Sequence, residues 1–166
     1  GVYRSTFRET DSGRNSKGRI AEFSNPDLTW QQAIEAYFSR QLFPLGQGER
    51  MLQCLRLHMR EMLEPTGQWE QEIEQNIAPV HDALAALFCR HLGLEQVDEG
   101  VQRLVLAVVS MPFILMTQSI VHITCPHILQ RADAASVAIA SHVRYALALV
   151  ESERAYRKQQ RAQGVP

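Results

Sequence analysis

The chain has 166 residues, 45% of them hydrophobic and 21% charged, with a formal net charge of −1. Such a composition suits one globular domain with a real core, and it excludes an overall basic field that would draw in nucleic acid. Three cysteines, Cys54, Cys89 and Cys125, are an odd number without paired spacing, which fits a reducing cytoplasm better than a disulfide scaffold. The opening GVYRSTFRETD carries charge where a signal peptide needs its apolar core, so no export signal is expected.

Val2 to Ala21 holds few large apolar residues, and Gly13 and Gly18 weaken it as a helix. A polar, frayed helix packing by one edge is expected, its mixed charges forming a solvated face. Ser24-Asn25-Pro26-Asp27 reads as a turn. Thr29 then opens a helix, with Gln32 three residues on as its capping-box partner. Trp30, Ala33, Ile34, Tyr37, Phe38 and Leu42 give that helix one apolar face, and Pro44, Gly46 and Gly48 stop it. A third helix is expected over Glu49 to Leu63, with Leu52, Leu55, Met59 and Met62 as its buried stripe. Pro65 ends it, and Thr66 can cap the next. That fourth helix, Gly67 to Leu92, places Trp69, Ile73, Ile77, Val80, Leu84, Leu87 and His91 on one stripe. Pro79 should kink it and free the carbonyl of Gln75. Gly93 is its natural stop.

Asp98 starts the helix that enters the most distinctive stretch. From Leu104 to Gln130 no Asp, Glu, Lys or Arg occurs. The first twenty residues are apolar on every helical face, so this rod must be covered by protein or by lipid. About 20 apolar residues span a bilayer. Ser110, Pro112, Thr117, Gln118, Ser119 and His122 interrupt the run, and their cost at membrane depth argues for protein. The expected cover is the chain's own helices on one side and a second copy on the other. Pro112 should break the rod and free the carbonyl of Val108, and Cys125-Pro126 should end it. Asp133 begins a last helix to about Tyr156. Its apolar arc is wide enough to meet two partners, and its alanines permit close approach.

With this layout in hand, one run is distinctive. Arg56-Leu57-His58-Met59-Arg60-Glu61-Met62-Leu63-Glu64-Pro65-Thr66, followed by a helix containing Ile77-Ala78-Pro79, resembles the C-terminal regulatory domain of TetR/AcrR-type transcription regulators, in particular a CerR-type subgroup. The similarity in element order runs from about Pro26 to Tyr156. It implies an all-α, TetR-type helical bundle of about six helices, a single regulatory domain over 1–166 with its helical core at 29–157. The implied dimer forms through the last two long helices, at Ile120, Ile123, Ala138, Ala140, His142, Tyr145, Leu147 and Leu149. Val2-Tyr3 is similar to the pair that opens the family's linking helix, so 1–21 is expected to be a remnant of that helix. No helix-turn-helix pattern can be placed, so operator DNA is expected to be met only through an N-terminal unit outside this chain. The family implies a cytoplasmic, non-enzymatic regulator, a homodimer that answers to a small-molecule effector.

Such an effector needs an apolar cavity with a few polar groups to orient it. The candidate lining is Phe38, Leu55, Met59, Met62, Trp69, Ile73, Met111, Phe113, Met116 and His122. For any one of these, filling the core is the simpler role. The freed carbonyls of Gln75 and Val108 are candidate acceptors for a ligand, or for water. Cys89-Arg90-His91 and Cys125-Pro126-His127 each pair a soft and a nitrogen ligand, without the spacing of a zinc site. Cys125-Pro126 is also compatible with haem ligation, but a helix stop with a small thiol is the plainer reading. No cofactor, metal or catalytic group is therefore expected. Arg60 and Glu61 are expected to pair with neighbouring helices. The rival readings are a helical metal or haem protein and a dimer module with no ligand.

Overall fold

The structure, a computed structural model, describes residues 16–65 and 67–164, without the side chains of 46, 49–52, 55 and 68. The Val2-Tyr3 start, the Thr66 cap and the side chains of Leu52 and Leu55 thus lie outside the described residues. Among those described, every regular element is a helix.

Helix α1 spans Ser16–Ser24 and ends in the expected turn, where the Asn25 side-chain oxygen accepts the Asp27 N–H at 2.9 Å. Helix α2, Trp30–Leu42, opens on a complete capping box. Its Gln32 N–H donates to Thr29 Oγ1 at 3.2 Å, and the Thr29 N–H donates to Gln32 Oε1 at 3.0 Å. A single 3₁₀ turn over Phe43–Gly46 carries Pro44 and ends the helix. Helix α3 covers Glu49–Leu63, the expected bounds, after Gly48 at φ +81°, a conformation that favours glycine.

The expected fourth helix comes in three pieces: α4 at Gly67–Glu72, a π-helical turn at Ile73–Ile77, and α5 at Ala78–Leu92. Proline explains the division. In an α-helix its ring meets the carbonyl four residues back, here Gln75. The wider π turn makes room, and Ala78 N–H reaches back five residues to the Ile73 carbonyl. A wide turn thus stands where a kink was expected. Gly93 caps α5 in the left-handed region at φ +70°.

Asp98 caps α6, Glu99–Ser110, by accepting the Val101 N–H at 2.9 Å. Pro112 then breaks the uncharged rod into α7 at Phe113–Thr117 and α8 at Ser119–Thr124. Between them Gln118 sits at φ +58°, a left-handed conformation costing a non-glycine residue about 1–2 kcal/mol. A short α9, His127–Gln130, follows Cys125-Pro126. The last helix, α10, runs over Ala134–Ala162, longer than expected. Asp133 does not cap it with its side chain, because both carboxylate oxygens hold Arg131 at 2.8 Å.

Helix α10 packs along α2, α1 lies on α5, and α5 and α10 both meet α6. Phe23, Ile34, Phe38, Leu84, Phe88, Val101, Val105, Val108, Ala146 and Val150 fill the space between them. Polar ties close this half. Arg157 grips Asp98 through two bonds of 2.6 and 2.8 Å. Arg154 donates to the His91 carbonyl at 3.0 Å, and Arg90 donates to the Phe23 carbonyl, tying α5 to the end of α1. Helix α3 stands aside, packing chiefly on α7 and on the 3₁₀ turn. The stretch Glu99–Thr117 is long and apolar enough to span a membrane by composition alone. It is broken at Pro112, and Val101, Val105, Val108 and Leu115 are buried among the chain's own helices. Its opposite side is uncovered, with Leu106 and Ile114 exposed.

Candidate functional site

Helix α3 carries Arg56, Met59, Arg60 and Leu63 at spacings of three, one and three, which puts them on one face. That face looks at the end of α7, where Met116 is buried and Thr117 half-buried. Together with Glu64 these residues line an open cleft of about 490 Å³. Its floor is the two thioethers, which fit irregular apolar shapes. Its wall is charged. Arg60 and Glu64 approach to 4.0 Å, and both side chains are more than three-quarters exposed, so their attraction is weak. Arg60 thus has a partner four residues on in its own segment, where a neighbouring helix was expected to supply one.

The cleft floor runs straight into the strained turn. Gln118 follows Thr117, and its side chain is buried. Its Oε1 lies 3.2 Å from His122 Nε2, and its carbonyl accepts the His122 N–H at 2.8 Å. The turn aims α8 so that Ile120 and Ile123 point out, 52% and 85% exposed.

Among the described side chains of the candidate lining, the cleft brings together Met59 and Met116. Phe38 is fully buried in the closed half, edge-on to His142 at 5.3 Å. Trp69 is buried too, but against His58, with ring centroids 4.6 Å apart. Burial pushes the His58 imidazole down to about 4, so it is neutral near pH 7. Met111 and Phe113 are half-buried beside the Pro112 break, while Met62, Ile73 and His122 are exposed. The Leu55 side chain lies outside the described residues. The Val108 carbonyl is no open acceptor, since it takes the Met111 N–H at 3.3 Å. Arg56, Arg60, Leu63, Glu64 and Thr117 were missed as lining residues. For Arg56, Arg60 and Leu63 the signal was present, as the shared helical face with Met59.

Of the residues expected at a dimer face, Ile120, Ile123, Ala140, Tyr145 and Leu149 are exposed and Leu147 is half-buried. Ala138 and His142 turn inwards instead, where His142 Nδ1 lies 2.7 Å from the Ala138 carbonyl. The α10 arc is rotated toward α2 because Phe38 needs cover on that side.

Among the described residues, no group of three or more His, Cys, Asp or Glu side chains is placed to hold a metal. Cys89 donates to the Leu94 carbonyl at 3.3 Å, a structural contact. Cys125 sits 3.4 Å from Thr124 Oγ1, half-buried at the helix stop.

Comparison with known proteins gives one finding. Residues 30–149 match the family model described as "HTH-type transcriptional dual regulator CecR, C-terminal domain". The CerR-type resemblance of the Arg56–Thr66 run falls within this matched domain. No curated protein matches the chain.

Proposed function

The chain belongs to the family of C-terminal domains of CecR-type transcription regulators, and on that premise we propose that it is the effector-binding and dimerisation domain of a cytoplasmic TetR-type repressor. The observation that carries this reading is the cleft between α3 and α7, with its Met59 and Met116 floor. It opens to solvent, has the volume of a small-ligand site, and leads through Gln118 to the exposed apolar face of α8.

The mechanism is linkage. An apolar small molecule binds one conformation of the α3–α7 cleft better than another and so shifts the balance between them. Movement of α7 passes to α8 through the Gln118 turn, and so to a face that a second copy covers. A second route leads to the N-terminal side. Ser16 on α1 donates to Asn76 Oδ1 in the π turn at 3.3 Å, so α1, the proposed linking helix, rests on the same helix as α4. In the dimer these shifts change the spacing of two DNA-reading units outside this chain. Binding of effector then releases the operator.

A thermal-shift screen of hydrophobic and aromatic compounds tests the reading. A ligand present at 100 times its Kd should add about 2.7 kcal/mol of stability, several degrees in Tm. Met59→Trp, which fills the cleft, should abolish the shift. Uniformly unchanged melting across the screen would favour a dimer module without a ligand.

A further inference from the structure

Gln118 stands in the left-handed region, yet nothing in the local sequence demands a break there. We infer that its turn is a two-position joint. In one position α7 and α8 meet at the bend seen in the structure. In the other they run on as a single helix from Phe113 to Thr124, with α8 rotated about its axis. The inference rests on the geometry of the turn. The effector reading adds only what biases it, since Met116 just before the turn lines the cleft.

Phe113 to Thr124 contains neither proline nor glycine, the residues that ordinarily punctuate a helix. The bend is therefore held by what the two pieces pack against. Gln118 bears strain as a non-glycine residue at φ +58°, and a right-handed conformation removes it. In an unbroken helix the Ile114 carbonyl takes the Gln118 N–H. In the bent state the Thr117 hydroxyl donates to that carbonyl, at 3.0 Å. The first bond of α8, from the His122 N–H to the Gln118 carbonyl at 2.8 Å, belongs to either state. So does the side-chain pair of Gln118 and His122 at 3.2 Å, because residues four apart stay neighbours along a helix.

Burial shows how far α8 is turned. Residues seven apart lie on one stripe of a helix. Across this turn they do not. Met116 is 5% exposed and Ile123 85%, while Ile114 is 47% exposed and Val121 4%. In the unbroken helix Ile123 comes into line with Met116, and Val121 into line with Ile114. One branched apolar side chain leaves the core as another enters it, so the covered apolar area changes little. An exchange of that kind keeps two packings of one segment within reach of each other. Its outward effect is large, because Ile123 leaves the exposed face of α8.

The experiment introduces Val121→Cys into the full chain. Alkylation by N-ethylmaleimide at position 121 is followed by fragment mass spectrometry, which separates it from Cys54, Cys89 and Cys125. Hydrogen exchange of the amides at 118–121 is measured on the same proteins. Gln118→Ile makes the bend costlier, since a branched side chain suits the left-handed region worst. Gln118→Gly removes the strain and favours the bend. Gln118→Ile should speed alkylation at least about fivefold, in keeping with the strain of a left-handed residue, and should slow exchange at 118–121 as those amides gain partners. Gln118→Gly should slow alkylation below the rate with Gln118 in place. Faster alkylation together with faster exchange would mean local unfolding and would overturn the joint. An alkylation rate that ignores both substitutions would mean a fixed bend and would overturn it too. If Gln118→Ile does not fold, Gln118→Gly alone decides: a slower rate supports the joint and an unchanged rate overturns it. None of these results touches the effector reading, which stands or falls with its compound screen.

Discussion

Phe38 and Met59 were both expected beside a ligand, and the fold treats them in opposite ways. Phe38 lies in the half made of α1, α2, α5, α6 and α10, where Phe23, Ile34, Leu84 and Phe88 are covered with it and arginines tie the helices across their ends. Met59 lies in the half made of α3, α7 and α8, where a cleft stays open and Leu63, Ile120 and Ile123 face water. In the first half Phe23, Phe38 and Phe88 have no exposed surface. The second is built partly from short helices, and its described residues leave several large apolar side chains in water. Stability and adaptability are thus separated in space. That division is what a sensing domain needs, because a closed core resists the small movements that a ligand must cause.

The sharpest way to break this comparison is truncation in each half. Phe38→Ala removes a fully buried ring and should cost about 3–5 kcal/mol. Met59→Ala, half-buried at the cleft, should cost about 1 kcal/mol or less. Denaturant melts of both variants decide it. Similar losses would mean that the two halves are equally packed.

Acid should expose the weaker half next. The folded pKa of His58 is lowered by burial to about 4, below the unfolded value of about 6.5. The unfolded chain therefore takes up this proton first. His58 contributes full stability above about pH 6.5, which is lost as the pH falls toward 4 and changes no further below it. The loss should reach about 2–3 kcal/mol. His91, lowered by burial and by Arg154, adds a smaller slope of the same sign in the closed half. Stability measured from pH 7 to 4 should be markedly flatter in His58→Phe. An unchanged slope would place the acid-sensitive step elsewhere.

A smaller effect is expected at the uncovered face. Ile123→Glu should leave the protomer folded, since the residue touches little of its own chain. It should raise the dimer Kd at least about tenfold, about 1.4 kcal/mol. Sedimentation at micromolar concentration should show a dimer for the wild type and a growing monomer fraction for the variant. A wild-type monomer would sink the dimer reading outright.

The sequence carried most of the fold because its punctuation is local. Thr29 with Gln32, Gly93 and Asp98 each announce a helix end through bonds made within a few residues. The π turn was not legible. Pro79 announces a disturbance, but whether the helix bends or widens depends on what packs around it. The candidate site was half legible for the same reason. Spacing shows that Met59 shares a face with Arg56 and Leu63. It does not show that the face looks at Met116, because that depends on how Pro112 and Gln118 redirect the rod. Ala138 and His142 illustrate the limit on α10, where an apolar arc all of one kind gives no sign of which flank meets α2.

Asp98 offers the mildest test of how firmly the closed half is held. It does two things at once: it caps α6 at the Val101 N–H and anchors Arg157 from the far end of α10. The Arg157 hydrogen bonds, helped by the backbone N–H donors, hold its pKa down to about 2, although slight burial works the other way. For a carboxylate lowered in the folded state, the stabilisation is complete above the unfolded pKa of about 4. It is lost as the pH falls from there through about 2. Asp98→Ala should therefore cost about 1 kcal/mol at pH 7, mainly through the lost cap, since an ion pair half in water adds little. The gap between variant and wild type should close as the pH approaches 2. The cap is strongest with the carboxylate ionised, so a gap that persists at pH 2 would mean that ionisation of Asp98 adds nothing to this corner. If it is absent at pH 7, the α6–α10 corner is held by Val101, Val105 and Val150 alone.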